Sequence, residues 1–431
     1  MKTKQSKCVP ELRFPGFVGA WETRTLRDFG IAVIDGDRGK NYPNGDDFTP
    51  EGFCIFLNAK NVTKSGFDFR EVIFISDEKN KSLSKGELAP DDVVLTTRGT
   101  VGNIALFDSS VAYTHLRINS GMVLLRATNS QLSPRFLNSA FFAPPLDCEV
   151  KKTAFGSAQP QLTVKGIYAL KFGAPTLPEQ QKIADFLTAV DGRIGQLIQK
   201  KALLEDYKKG VMQQLFTQAI RFKDKVNCEA RENALGCDHG NDFPDWEEKN
   251  LGEIGSFKSG VGFSESEQGG KEGTPFYKVS DMNLSGNESV MKSANHYVTK
   301  AQINDNKYKV VSEKFILFAK VGAAIFLERK RIATNFLIDN NMMAFTPSFD
   351  LEFAKHLFAT IRLSKFAQVG ALPSYNASDL KTIRVSIPST PEEQTKIADF
   401  LSAIDRKIAS VATQITETQT LKRGLLQQMF V

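Results

Sequence analysis

The chain has 431 residues, 41% hydrophobic and 24% charged, with 55 Lys plus Arg against 49 Asp plus Glu and a formal net charge of +6. That is enough for two or three ordinary domains of soluble globular composition, and the mild positive balance permits a nucleic-acid partner without demanding one. No run of 18 apolar residues occurs, the opening MKTKQSK lacks the apolar core of a secretory signal, and five scattered cysteines fit a reducing cytosol, so no membrane or export role is expected.

In chain order, a first globular unit is expected over residues 1–177. It carries FPGFVGAWETRTLRDF (Phe14 to Phe29), then DDVVLTTRGTVGNIALF (Asp91 to Phe107), read as strand, glycine-containing turn, strand. INSGMVLLR (Ile118 to Arg126) and QPQLTVKGIYALKFGAPT (Gln159 to Thr176) follow. The turn Arg98-Gly99-Thr100-Val101-Gly102 either cradles a phosphate or closes a hairpin.

A helix is expected over 178–217. Ile183, Leu187, Val190, Ile194, Leu197, Lys201, Leu204, Lys208, Val211 and Leu215 follow one another by alternating steps of four and three, a heptad seam. Pro178 at its start forfeits no hydrogen bond, and Glu179 suits the positive end of the macrodipole. A connector over 218–242 lacks that frame and reads as a surface linker; its Cys228, Cys237 and His239 match no zinc spacing and lack a fourth ligand, so no metal is expected.

A second globular unit is expected over 243–389. FPDWEEKNLGEI (Phe243 to Ile254), EKFILFAKVGAAIFL (Glu313 to Leu327), IDNNMMAFTP (Ile338 to Pro347) and LPSYNASDLKTIRVSIPS (Leu372 to Ser389) echo the four pieces above in the same order. The helix over 390–431 repeats the first one at an offset of 214 residues without a gap, with Ile397, Leu401, Ile404, Ile408, Val411, Ile415, Thr418, Lys422, Leu425 and Met429 on its seam. Lys208 and Lys422 interrupt the seams at equivalent places, either snorkelling at the edge or setting a register. A helix of about 38 residues is about 57 Å long and cannot hide such a seam alone. Matching seams of matching length favour an antiparallel pair over two helices each lying on its own globule.

Catalytic constellations are missing from this reading. There is no P-loop, no dinucleotide fingerprint and no H-E-x-x-H, the histidines stand apart, and the nuclease-like fragments Pro90-Asp91 and Asp77-x-Lys79 have the wrong order and spacing.

The helix starts PEQQKIADFL and EEQTKIADFL, the helix ends KKGVMQQLF and KRGLLQQMF, and the segments RFPGF, LTTRGTVGN, INSGMVLLR and DFPDWEEKNLGEIG resemble the specificity subunit of type I restriction-modification enzymes over nearly the whole chain. The connector and the second hairpin, which lacks the Arg-Gly-Thr of the first, depart from that pattern. The resemblance implies an α+β chain with two similar mixed α/β target recognition domains, separated by a long antiparallel two-helix coiled coil with pseudo-twofold repetition. It implies a non-catalytic cytoplasmic subunit without cofactor. Each domain would read half of a bipartite asymmetric double-stranded DNA site in the major groove. The helices would set the spacing and dock two methyltransferase subunits, with restriction and translocase subunits added for cutting. Half-sites on one face of B-DNA lie roughly 34–36 Å apart, a distance the helices can span. The competing reading is a coiled-coil adaptor joining two protein-binding domains without a DNA role, and a stand-alone nuclease is a third.

Phosphate contacts need Lys or Arg, and base reading needs polar side chains on exposed loops. On those grounds the expected DNA-binding residues are Lys60, Asn61, Arg98, Thr100, Arg117, Gln159 and Gln161 in the first unit. In the second they are Lys278, Ser280, Lys320, Arg329, Lys330, Arg331, Ser374 and Asn376.

Overall fold

The computed structural model describes residues 8–128, 130–154, 160–224, 241–368 and 372–431; Gln159 and the connector's Cys228, Cys237 and His239 lie outside them. The chain divides into two units, Met1–Gln199 with Ala412–Val431, and Lys200–Val411. Each unit therefore holds one end of each long helix, Leu177–Phe216 and Pro391–Gln428.

The first unit is built on an antiparallel sheet in the order Ala32–Asp35, Met122–Arg126, Val93–Thr96, Ile104–Leu106. Its central strands are buried on both faces, which explains why they read as continuous apolar runs rather than as alternating ones. Alternation still decides which core each residue enters. Val93, Leu95, Ile104, Val123 and Leu125 join a core with helix Pro134–Phe142 and the long-helix ends. Val94, Ala105, Met122 and Leu124 turn the other way, onto Ile55, Leu57, Leu116 and Ile118 of a three-stranded sheet. That sheet runs Phe74–Ile75, Cys54–Leu57, Leu116–Ile118, with the last two strands parallel. A two-stranded ribbon pairs Glu22–Thr25 with Lys171–Ala174.

The second unit repeats this sheet plan. Its four-stranded sheet is ordered Gly255–Ser259, Met342–Pro347, Phe315–Ala319, Lys330–Ala333. Its three-stranded sheet is ordered Tyr297–Val298, Thr274–Tyr277, Leu337–Ile338, with the same parallel pair. Glu247–Asn250 pairs with Arg384–Ile387 as the ribbon. Ile316, Phe318, Met343 and Phe345 face the helical core, while Phe315, Leu317, Met342 and Ala344 face the smaller sheet. The first hairpin expected from the sequence is present, Val93–Thr96 with Ile104–Leu106. In the second, Ala323–Leu327, expected as the return strand, form a 3-10 turn, and Phe315–Ala319 pairs instead with Lys330–Ala333 beyond it.

Each seam position of the two long helices is buried or half-buried. In the first unit Ile183 and Leu187 share a core with Leu425, Met429 and Phe430. In the second Val211 and Leu215 share one with Ile397, Leu401 and Ile404. In the first unit Gly173 meets Val431 and Asp191 meets Lys422, and in the second Lys208 meets Asp405 and Arg221 meets Glu393, so the segments run antiparallel. The seams are covered jointly by the opposite helix and the globular core.

The two lysines in the seams are cross-helix ion-pair partners. Lys422 Nζ lies 2.6 Å from Asp191 in the first unit, and Lys208 Nζ lies 2.6 Å from Asp405 in the second. The 214-residue offset carries one pair onto the other. Asp405 is also 3.5 Å from Lys355 and faces the buried His356, whose imidazole is pushed down to about 3 by burial, then by Lys208 and Lys355, against the pull of Asp405. The Asp191–Lys422 pair has fewer neighbours and is the cleaner one to test. Lys422→Asp should destabilise the first unit by about 0.5–1 kcal/mol, and adding Asp191→Lys should restore most of it. Urea unfolding followed by Trp21 fluorescence measures this; equal losses in the single and double variants would show that the pair does not couple.

The carboxylates at the helix starts do more than complement a dipole. Glu179 and Glu393 are buried and held by Arg13 (2.6 Å) and Arg221 (2.9 Å). The phenylalanines that follow those arginines sit edge-on to the helices, Phe14 on Phe186 and Phe222 on Phe400. An Arg-Phe pair thus anchors the chain beside each helix start.

Candidate nucleic-acid interface

In each unit three segments converge at one end of the four-stranded sheet. The first hairpin turns through Gly99 and Gly102, both at positive φ, and closes with Gly102 N donating to Thr96 O (3.0 Å). Thr97 and Arg98 donate from their backbones to Gly121 O, and Leu162 N donates to Thr97 O (3.0 Å). In the second unit Lys320 N donates to Asn341 O (2.8 Å), Tyr375 N to Lys320 O (3.4 Å) and Gly322 N to Pro373 O (2.8 Å). The loop after the central strand of the smaller sheet joins them. Asn103 Nδ2 donates to Val62 O (2.9 Å), and Tyr277 O accepts from Asp339 N (3.0 Å).

Two close approaches bring that turn against the neighbouring strand. A Cβ at Gly36 would lie 2.2 Å from Asn119 O, and one at Gly260 would lie 1.7 Å from Asp339 O. Only glycine lets the backbones approach so closely.

The convergence brings together Lys60, Arg98, Thr100 and Gln161 in the first unit. Arg98 and Thr100 are exposed and Gln161 is half-buried. Lys60 is exposed and 3.4 Å from Glu71, on the loop whose Ala59 lies beside Gly99. In the second unit Lys278, Lys320 and Ser374 are half-buried, and Ser280 and Asn376 exposed, around the equivalent place. Asn376 also caps helix Ala377–Lys381, its Oδ1 accepting from Asp379 N (2.9 Å), so part of its capacity is spent internally.

Three expected contact residues require correction. Asn61 is buried; its amide donates to Asp68 O and Glu71 O, and its oxygen accepts from Asn58 N, which ties a loop together. Arg117 is 2% exposed and spends its guanidinium on Asn80 Oδ1 (2.7 Å), Asn80 O (3.1 Å), Lys85 O (2.5 Å) and Glu87 (2.9 Å). Lys330 is likewise enclosed, bonded to Glu328 (2.8 Å) and Ile361 O (2.7 Å), and burial pulls its ammonium below the usual lysine range against the opposing pull of Glu328. Such groups face protein acceptors rather than a phosphate.

Of its neighbours, Arg331 is half-buried, its guanidinium lowered first by burial and then by Arg329. Arg329 is half-buried at the tip, hydrogen-bonded to Asn283. In DNA binding by the assembled complex, Arg329→Ala should reduce the salt slope by about one unit, as the loss of one phosphate contact does. Lys330→Ala should leave the slope intact and lower stability instead. The opposite pattern would return Lys330 to the surface.

The loops around Gly121 and Asn341 carry no residue expected from sequence to touch DNA. Their signal was present in the repeats, since Ile118–Arg126 and Ile338–Pro347 recur in order, but nothing in their composition marks them as part of an exposed face. Among the described residues no group of three or more His, Cys, Asp or Glu is placed to hold a metal ion, and no helix is long and apolar enough to cross a membrane.

The family described as Type I restriction modification DNA specificity domain matches residues 19–206 and again 244–419. The putative type I restriction enzyme MjaX specificity subunit of Methanocaldococcus jannaschii is 25% identical over 94% of this chain and 92% of that protein. The MjaIX specificity subunit of the same organism is 24% identical over 95% and 92%. In fold, the chain is similar to the crystal structure of a type I restriction-modification S subunit from M. genitalium, with TM-score 0.56, 16% identity and 98% and 99% coverage. A structure titled for complex assembly and conformational transition of the type I R-M system matches with TM-score 0.57, 17% identity and 97% and 98% coverage.

Proposed function

The chain belongs to the type I restriction modification DNA specificity family, and from that premise we propose that each unit reads one half of a bipartite, asymmetric double-stranded DNA site through the face built around its hairpin tip. It supplies sequence specificity within a restriction-modification system. The observation that carries the two-part reading is one scaffold present twice with different tips: identical strand orders end in Arg98-Gly99-Thr100 in one unit and in Lys320-Val321-Gly322 with a 3-10 turn in the other. A shared frame with unlike exposed side chains suits two unlike half-sites. Family membership weighs against an adaptor without a DNA role.

In this reading the subunit is non-catalytic and cytoplasmic. The recognition domains lie in residues 1–177 and 243–389, and the long helices set the gap and dock two methyltransferase subunits, to which restriction and translocase subunits add. Methylation and cleavage belong to those partners.

Methylome sequencing of cells carrying this chain with its methyltransferase tests the proposal. The expected result is a modified motif of two short specific parts around an unspecific gap. A contiguous motif, or none that depends on this chain, would overturn it.

A further inference from the structure

Between Gly322 and Lys330 the second hairpin carries a 3-10 turn, Ala323–Leu327, that displays two large apolar side chains to solvent. Phe326 is 60% and Leu327 55% exposed, and Leu372, beside Gly322, is 63% exposed. Hiding such side chains would favour folding, so an exposed group of them on a well-held turn marks a contact surface.

The turn is held at several points. Ile325 is buried beneath it; Ile325 N donates to Gly322 O (3.1 Å) and Glu328 N to Ile325 O (3.1 Å). Gly322 and Glu328, at φ 84 and 50, bend the chain in and out. The Glu328 carboxylate accepts from Ser364 N (2.8 Å), Leu363 N (3.2 Å) and Lys330 Nζ (2.8 Å). The buried Lys330 thus supports the turn, which leaves Phe326 and Leu327 projecting from a braced platform.

We infer that Phe326 and Leu327 read thymine, by packing on its 5-methyl group in the major groove of the half-site met by the second unit. This rests on the DNA-reading proposal above. The occupant is assigned as DNA because Lys320 and Arg329 flank the turn with positive charge, and because the equivalent tip of the first unit presents Arg98 and Thr100, side chains of base-reading and phosphate-binding type. The thymine methyl is the one apolar group on the major-groove edges of the base pairs, and aromatic or aliphatic contact is how proteins recognise it.

The test uses the complex assembled with its methyltransferase subunits and a duplex carrying the methylome-defined site. Thymines are replaced by deoxyuridine in each half-site separately, removing only the methyl. The unmodified complex should lose about fourfold in affinity per contacted methyl, in one half-site. Phe326→Ser with Leu327→Ser should bind the thymine duplex more weakly and be indifferent to deoxyuridine there. A half-site indifferent to the substitution in the unmodified complex, or lacking thymine, overturns the inference while sequence-specific binding leaves the DNA-reading proposal standing. Loss of sequence-specific binding altogether removes both. Variants that unfold at the same temperature as the parent but no longer join the methyltransferase would assign the apolar tip to a protein partner, and the inference would fall.

Discussion

Phe430→Ala is expected to destabilise the unit containing it by about 3–5 kcal/mol, the usual cost of emptying a large aromatic site in a closed core. Phe430 is buried, stacked on Phe136 at 5.4 Å and edge-on to Trp21 at 6.0 Å. Its counterpart at the 214-residue offset, Phe216, occupies the same place between Phe353 (5.7 Å) and Trp246 (6.3 Å). Each long helix therefore ends by inserting a phenylalanine between a tryptophan and a phenylalanine of a globular core. The chain has only these two tryptophans, so each reports on one cluster. In a Trp246→Phe background, urea unfolding of Phe430→Ala read by Trp21 emission should show the full loss. A shift worth under about 1 kcal/mol would mean that the helix end is not part of that core.

Arg117→Ala should cost about 3 kcal/mol, through stability and not through DNA contact. Removing the guanidinium strands the buried Asn80 side chain and two backbone carbonyls, those of Asn80 and Lys85. Glu87 is half-exposed and can turn to water, which keeps the loss at the lower end of the range for broken buried pairs. Chemical denaturation measures the cost. In the assembled complex, below the variant's unfolding temperature, the salt slope of DNA binding should match the parent's. A slope reduced by about 0.9 would instead make Arg117 a phosphate contact.

These two residues mark how far the sequence could be read. Phe430 lies in the repeated helix end, and repetition alone flagged it. Arg117 suits a phosphate by residue type, and residue type is blind to burial. Its acceptors lie thirty and more residues away, on Asn80, Lys85 and Glu87, and no local pattern links them. For Lys330 one acceptor, the carbonyl of Ile361, is equally distant; the other, Glu328, is close in sequence but is itself held inward by Leu363 and Ser364. Arg98 and Thr100 stayed exposed because they sit in a glycine turn beyond paired strands, a context that local sequence does reveal. The Arg-Phe anchors at Arg13-Phe14 and Arg221-Phe222 passed unnoticed, since a dipeptide means little until Glu179 and Glu393 are seen buried against it.

The sequence by itself determined what depends on neighbours along the chain. The four-three spacing specified two amphipathic helices, the 214-residue offset specified that one unit is written twice, and the glycine turn after Val93–Thr96 specified a hairpin. Tertiary structure alone decided which charges are spent inside. It set Lys208 on Asp405 and Lys422 on Asp191, turned Arg117 and Lys330 inward, and left Phe326 and Leu327 outside. A buried charge is tolerated only where distant acceptors meet it, and the meeting of distant segments is a property of the fold that residue type and spacing do not carry.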